Sequence, residues 1–188
     1  MNDPITKTSK FLSLILRHQP ERIGLTLDAN GWADTQTLLT LVEKTGRPLS
    51  RSLLEKVVAE NDKQRFAFNE DKTKIRASQG HSIEIDLALR PQTPPEIFFH
   101  GTAAQFVGPI RLEGLVSQKR QHVHLSLEEE TATKVGQRHG VPVILRVSSG
   151  EMHRKGIVFY CSENGVWLTE KYNGPANSDT KRVEFKLD

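Results

Sequence analysis

Arg90-Pro-Gln-Thr-Pro-Pro-Glu96 divides this chain, with three prolines in seven residues. Proline lacks an amide hydrogen and fixes φ, so neither a helix interior nor a central strand suits this stretch. It reads as a connector. Its two flanks are patterned differently. On the N-terminal side, apolar residues recur at helical spacing and give way to one hairpin. On the C-terminal side, short apolar runs alternate with turn residues. The contrast predicts an α+β protein of two units, residues 1–90 and residues 97–188, joined by a linker at 91–96.

Working outward toward the N-terminus, Thr8 or Ser9 can cap a helix through Phe11, Leu12, Ile15 and Leu16 that ends near Gln19-Pro20. Phe11, Leu14, Ile15 and His18 then fall on one face. Asp34 precedes a second apolar run at Leu38, Leu39, Leu41 and Val42, and Ser50 can cap a third helix containing Leu53, Leu54, Val57 and Val58. Arg65-Phe-Ala-Phe68 and Lys74-Ile-Arg-Ala77 flank a polar turn at residues 69–73, which predicts a hairpin. Helices followed by a hairpin resemble a winged helix.

Toward the C-terminus the expected elements are strands: Ile97–Phe99, His122–Leu125, Val143–Val147, Ile157–Tyr160, Val166–Thr169 and Val183–Leu187. Asn164-Gly165 is a hairpin signal. One helix interrupts them. Ser126 is its expected N-cap, Glu129 completes a capping box, and Gly140 is its expected stop.

The whole chain has 188 residues and a formal net charge of +3. A mildly basic balance permits an RNA partner without demanding one. A single cysteine, Cys161, rules out an internal disulfide and a Cys-rich zinc site, and fits a reducing compartment. Its apolar strand predicts a core position. No apolar run reaches the length of about 20 residues that spans a bilayer, and no signal peptide opens the chain. The expectation is a soluble, cytoplasmic monomer with no metal.

Four stretches can carry chemistry. Arg17-His18 ends the first helix, where an ordinary dipole-compensating cation is the plainer reading. Lys74-to-Ser82 places Arg76 opposite Ile75 on a strand and then offers Gly80, His81 and Ser82 to an anion; a solvated strand and turn is the plainer reading. Phe98-Phe99-His100-Gly101-Thr102 reads as a buried strand stopping at a polar corner, where Gly101 would let a ligand approach the backbone. Arg120-Gln-His122-Val-His124-Leu-Ser126 is the most informative of the four. Alternation puts Arg120, His122 and His124 on one face of a strand, and three basic groups side by side call for an anion. A His-x-His metal site lacks a suitably spaced third ligand. Gly-x-Gly-x-x-Gly, P-loop and Gly-x-Ser-x-Gly patterns are absent from the sequence.

Taken in order, Lys10-to-His18, Lys74-to-Ser82, His100-Gly-Thr102, Arg120-to-Ser126 and Asn164-Gly-Val-Trp-Leu-Thr169 resemble the RNA 2′-phosphotransferase family, also called KptA or tRNA 2′-phosphotransferase. The resemblance covers nearly the whole chain. It implies a winged-helix RNA lobe and an NAD-binding lobe similar to ADP-ribosyltransferases, which hold NAD without a Rossmann fingerprint. It implies removal of an internal RNA 2′-phosphate by transfer to NAD, through an RNA-2′-phospho-ADP-ribose intermediate. The products would be 2′-hydroxyl RNA, nicotinamide and ADP-ribose 1″,2″-cyclic phosphate. The family's best-known substrate type is a spliced tRNA junction. Carried over by motif, the catalytic set is Arg17, His18, Arg76 and Arg120, and the NAD set is His100, Gly101, Thr102, His124 and Ser126. Gly80, His81, Ser82 and His122 join the phosphate side less firmly.

The implied chemistry suits these residue types. A phosphate nucleophile is already anionic and nicotinamide leaves as a neutral ring, so positioning and charge support suffice for the first transfer. Arginines grip phosphate with paired hydrogen bonds. His18 titrates near neutrality and can support the RNA oxygen that leaves in the second transfer. An ADP-ribosyltransferase acting on terminal phosphates of nucleic acids is the alternative enzyme reading. A winged-helix regulator with an appended sensor is the alternative without catalysis.

Overall fold

In the computed structural model, which describes residues 3–170 and 185–186, Leu12, Ile15 and Leu16 form the fully buried stripe of helix α1 (Pro4–Arg17). Phe11 and Leu14 are only half-buried, so the buried stripe is turned from the face expected. The helix also starts a turn earlier than Thr8 or Ser9. Pro4 opens it after Asp3, because proline presets φ and its missing N–H is one the first turn leaves unbonded anyway. Ser9 lies inside the helix, buried, and accepts a hydrogen bond from Asn61 Nδ2 at 2.9 Å.

Backbone contacts separate two compact units, Met1–Ala88 and Leu89–Asp188. In the first, strand β1 (Ala33–Asp34) leads into α2 (Thr35–Lys44), whose start Asp34 caps by accepting from the Thr37 amide at 2.7 Å. Ser50 caps α3 (Arg51–Ala59) by accepting from the Leu53 amide at 3.1 Å. The expected hairpin is β2 (Phe66–Phe68) and β3 (Lys74–Ala77). The short β1, unforeseen in the sequence, completes an antiparallel sheet in the order β1-β3-β2. Leu12, Ile15, Leu16, Leu38, Leu54, Val57, Phe66 and Ile75 make the core between helices and sheet.

The second unit is built on two three-stranded antiparallel sheets. One holds β4 (Phe98–Ala103), β6 (Pro142–Val147) and β9 (Phe185–Lys186) in the order β4-β6-β9. The other holds β5 (His122–Leu125), β7 (Phe159–Cys161) and β8 (Trp167–Glu170) in the order β5-β8-β7. Phe98 packs on Trp167 and Phe159, with centroids 5.0 and 6.1 Å away, within a core that includes Leu145, Val147, Val123 and Leu125. Helices α4 (Val107–Glu113), α5 (Glu129–Gly136) and α6 (Ser149–Arg154) complete the unit. The proline-rich segment is tied to this unit: Pro91 bridges Tyr160, and the Gln92 amide donates to the Phe159 carbonyl at 2.8 Å.

Three local expectations change. The strand expected to stop at Phe99 continues to Ala103, because β6 pairs with it along its full length. The expected N-cap Ser126 is instead bonded to Phe99 in both directions, at 2.8 Å each, so α5 begins at Glu129 and ends at Gly136 rather than Gly140. Cys161 is half-buried at the end of β7 rather than in the core, and burial pushes its thiol pKa up. The strand expected over Val183–Leu187 is seen as Phe185–Lys186; residues 183, 184 and 187 lie outside the described residues. Among the described residues no helix is long and apolar enough to cross a membrane.

Candidate active site

The first unit concentrates its chemistry where α1 ends. Arg17 is buried, its Nη2 donates to the Arg65 carbonyl at 3.3 Å, and its guanidinium lies 6.0 Å from the Phe66 ring. His18 terminates the helix, half-buried, with Nδ1 2.9 Å from Ser82 Oγ. The Ser82 amide donates to the Arg17 carbonyl at 3.0 Å. The loop after β3 is thereby fastened to the helix end, and Arg17, His18 and Ser82 form one corner. Gly80 turns the chain into it with φ of 86°. His81 does not line this corner. It is 1% exposed and packs near Gly31, so it belongs to the interior of the unit.

Arg76 lies on β3 of the hairpin and is buried. It alternates with Ile75 and Ala77, whose side chains enter the core, so it leaves the opposite face of the sheet. There its guanidinium sits 4.4 Å from the Trp32 ring. The pairing of Ala33 with Ile75 explains the stack, since continuing that register sets Trp32 across from Arg76. Arg65, which the sequence reading passed over, is tied toward α1 twice. Its carbonyl receives Arg17, and its Nη1 donates to Asn61 Oδ1 at 3.3 Å, the same Asn61 that bonds Ser9. The available signal was the polar run Asn61-to-Arg65 directly before Phe66-Ala-Phe68, a cation placed at a strand entry.

In the second unit the two sheets meet and then part. Phe99 and Ser126 form an antiparallel bridge between β4 and the end of β5. A continuing ladder would next join Gly101 to His124. The strands separate instead, and His100 Nδ1 takes the acceptor, donating to the His124 carbonyl at 3.0 Å. His124 Nδ1 in turn donates to the His122 carbonyl at 3.1 Å. A carbonyl can only accept, so both rings carry hydrogen on Nδ1, and in the neutral ring Nε2 is then an acceptor. Burial lowers the His100 pKa, with the bond to His124 opposing it weakly, so His100 is neutral near pH 7. His100 and Thr102 share the Phe98 side of β4 and face the second sheet.

Gly101 faces the other way, and its role differs from the one expected. A Cβ there would collide with the Ala132 carbonyl of α5, and one at Gly136 would press on the Thr102 carbonyl. Gly101 is a glycine because a helix packs on it, not because a ligand approaches that side. Arg120 also departs from expectation. It lies in the turn before β5, its amide donating to the Ser117 carbonyl at 2.9 Å, and does not share a strand face with His122 and His124. The residue as a whole is exposed. Its guanidinium end is nonetheless enclosed enough to lower the pKa, with the like charge of Arg138 adding to the shift; arginine stays cationic regardless. His122 stands edge-on to Tyr160 at 6.0 Å, and Tyr160 donates to Glu170 Oε1 at 2.8 Å. Burial lowers the His122 pKa while Glu170 raises it. The basic face inferred from the sequence is therefore two histidines, of which His122 has its pKa lowered by burial, and a separate cation. Among the described residues no group of three or more His, Cys, Asp or Glu could hold a metal ion.

The family described as "RNA 2′-phosphotransferase, Tpt1 / KptA family" matches residues 3–171. A Flavobacterium johnsoniae protein named "Probable RNA 2′-phosphotransferase" is 56% identical over 187 residues, covering 99% of this chain and 100% of its own. Proteins with the same name from Agrobacterium fabrum and Escherichia coli are 54% and 51% identical, covering 88% of this chain and 89% and 90% of theirs. A match that spans both units, carried by relatives aligned along most of their own length, places this chain in the Tpt1/KptA family of RNA 2′-phosphotransferases.

Proposed function

We propose that the protein removes an internal RNA 2′-phosphate by passing it to NAD, which is consumed as co-substrate. In this reading the first unit is a winged-helix RNA lobe, and the second is an ADP-ribosyltransferase-like NAD lobe. Three helices with a three-stranded β1-β3-β2 sheet favour the first. Two sheets joined at one bridge and parting beyond it favour the second.

The observation that carries the NAD assignment is the ring of His100 at that parting. Its Nδ1 is committed to the His124 carbonyl, so its neutral Nε2 offers an acceptor. Ribose hydroxyls are donors and match it; phosphates are acceptors and do not. Thr102 and Ser126 add hydroxyls nearby in the chain path, and His124 adds a second ring of the same tautomer. Gly101 serves by letting α5 close on β4.

NAD supplies an electrophilic ribose carbon with nicotinamide as a neutral leaving group. The RNA 2′-phosphate, already anionic, needs only to be held in line with it. Arg17 and Arg120 are assigned to that charge, and His18 to the RNA 2′-oxygen that departs when the ribose 2″-hydroxyl attacks phosphorus. For the third cation we assign Arg76, buried on β3 and stacked on Trp32, with Arg65, whose carbonyl receives Arg17, as the alternative. Ser82, bonded to His18 Nδ1, orients that ring.

The test is incubation with NAD and an RNA bearing one internal 2′-phosphate. Release of ADP-ribose 1″,2″-cyclic phosphate and nicotinamide supports the reading. A stable ADP-ribosylated nucleic acid, with no cyclic phosphate, would instead assign the protein to ADP-ribosyl transfer onto phosphates.

A further inference from the structure

Phe106 is a large aromatic side chain left 43% exposed. It ends the 3-10 segment Ala104–Phe106 that follows β4. Its ring stands edge-on to that of His139, with centroids 6.5 Å apart and planes at 73°. Their backbones are tied together. Gln105 Nε2 donates to the His139 carbonyl at 3.3 Å, and the Ala104 amide donates to the Val141 carbonyl at 3.0 Å. Val141 is itself 73% exposed. The two rings therefore sit on a fixed base and are still open to solvent.

The two segments that carry the rings hold more cations than anions, although Glu128, Glu129 and Glu130 stand just before the second. Between Ala104 and His122 the charged residues are Arg111, Glu113, Lys119 and Arg120; between Thr131 and Val141 they are Lys134 and Arg138. Lys134 is occupied by Glu130 at 2.7 Å. Arg138 directly precedes His139, is exposed, and lies near enough to Arg120 for the two like charges to repel. Packing alone gives no reason to set two cations and two bare rings side by side. A polyanion with flat bases gives one: phosphates neutralise the arginines and a base stacks on the rings.

We infer that Phe106, His139 and Arg138 form a stacking platform for single-stranded RNA flanking the 2′-phosphate. This inference rests on the proposed role of Arg120 in holding that phosphate. Arg138 takes the backbone phosphate next along the strand, and Phe106 with His139 takes the neighbouring base. Recognition of this kind tolerates any base, since every base has a π-face.

The experiment compares two RNAs, a 2′-phosphorylated dinucleotide and a 2′-phosphorylated single-stranded decanucleotide, at saturating NAD. Phe106→Ala should raise KM for the decanucleotide by about fivefold or more. It should leave kcat, KM for the dinucleotide and KM for NAD unchanged. Phe106→Trp should restore KM. Arg138→Ala should reduce the slope of log affinity against log salt for the decanucleotide by about 0.7. An unchanged decanucleotide KM in Phe106→Ala overturns the platform. So does a raised NAD KM with RNA KM unchanged, which would give the rings to the adenine of NAD. Should the wild-type protein turn over neither RNA, the reaction assignment fails separately. Anisotropy of a labelled decanucleotide then decides the platform: weaker binding by Phe106→Ala supports it, and equal binding removes it.

Discussion

The corner at the end of α1 and the gap between β4 and β5 both use histidine, and they use it in opposite ways. At the corner, His18 is half-buried beside the cation Arg17, with Nδ1 against a hydroxyl that can give or take a proton. In the gap, His100 is held by a carbonyl that can only accept, and burial keeps it neutral. The first ring faces a group that can serve as donor or acceptor; the second is fixed as an acceptor. The contrast divides the labour of the proposed reaction: charge and proton handling in the first unit, neutral recognition of a sugar in the second.

The sharpest way to break this comparison is at His18. His18→Ala should slow turnover by about 10²–10⁴-fold, the usual worth of a positioned proton donor. It should accumulate the species in which RNA and ADP-ribose are joined through the phosphate, visible by gel with labelled RNA. If nicotinamide release stalls instead, His18 acts before the RNA oxygen leaves and the division fails. Arg17→Ala should lower kcat by roughly 10²–10³-fold, as expected for loss of a preorganised charged donor. Lysine should rescue it poorly, because a single ammonium cannot reproduce the fork.

Arg65 and Arg76 sharpen the same contrast within the first unit. Arg76→Ala should lower kcat with NAD binding retained, and the lost Trp32 stack should cost about 1 kcal/mol of stability besides. Arg65→Ala should leave kcat nearly unchanged. A thermal melt and a turnover assay on both variants separate the two. Reversed results would move the phosphate role to Arg65.

The sequence made the large features plain where one signal sufficed. Ser50 and Asp34 marked helix starts, and alternation marked β5 to the residue. It misled where two signals competed. Ser126 has the chemistry of an N-cap, but its backbone was already taken by Phe99. Arg120 fits the alternation of β5 by spacing, yet the strand starts after it. Arg76 reads locally as a solvated strand cation until register sets it against Trp32, where it is buried. Long-range pairing decides each of these, and local pattern carries no information about it.

Gly101 tests the second region. If its missing side chain serves packing, Gly101→Ala should destabilise the fold by about 1–3 kcal/mol, because the new methyl meets the α5 backbone and not a flexible side chain. The melting temperature should fall, and the KM for NAD of the folded fraction should change little. A stable variant with weakened NAD binding would restore the ligand-approach reading.

The smallest expected effect is on pH, and it bears directly on the neutral histidine. The His100 pKa is lowered from the usual 6.5, first by burial. As pH falls below 6.5, the unfolded chain takes up a proton that the folded ring refuses, so stability declines from there down to the folded-state pKa and then levels. NAD recognition should hold until that lower value is reached. Beneath it Nε2 becomes a donor, the match to a ribose hydroxyl is lost, and the KM for NAD should rise several-fold. His100→Gln, which keeps a polar amide but does not titrate, should remove this acid limb. Were the acid limb of the NAD KM to survive in His100→Gln, the titrating group would lie elsewhere, and neutrality at the β4–β5 parting would no longer explain how the sugar is held.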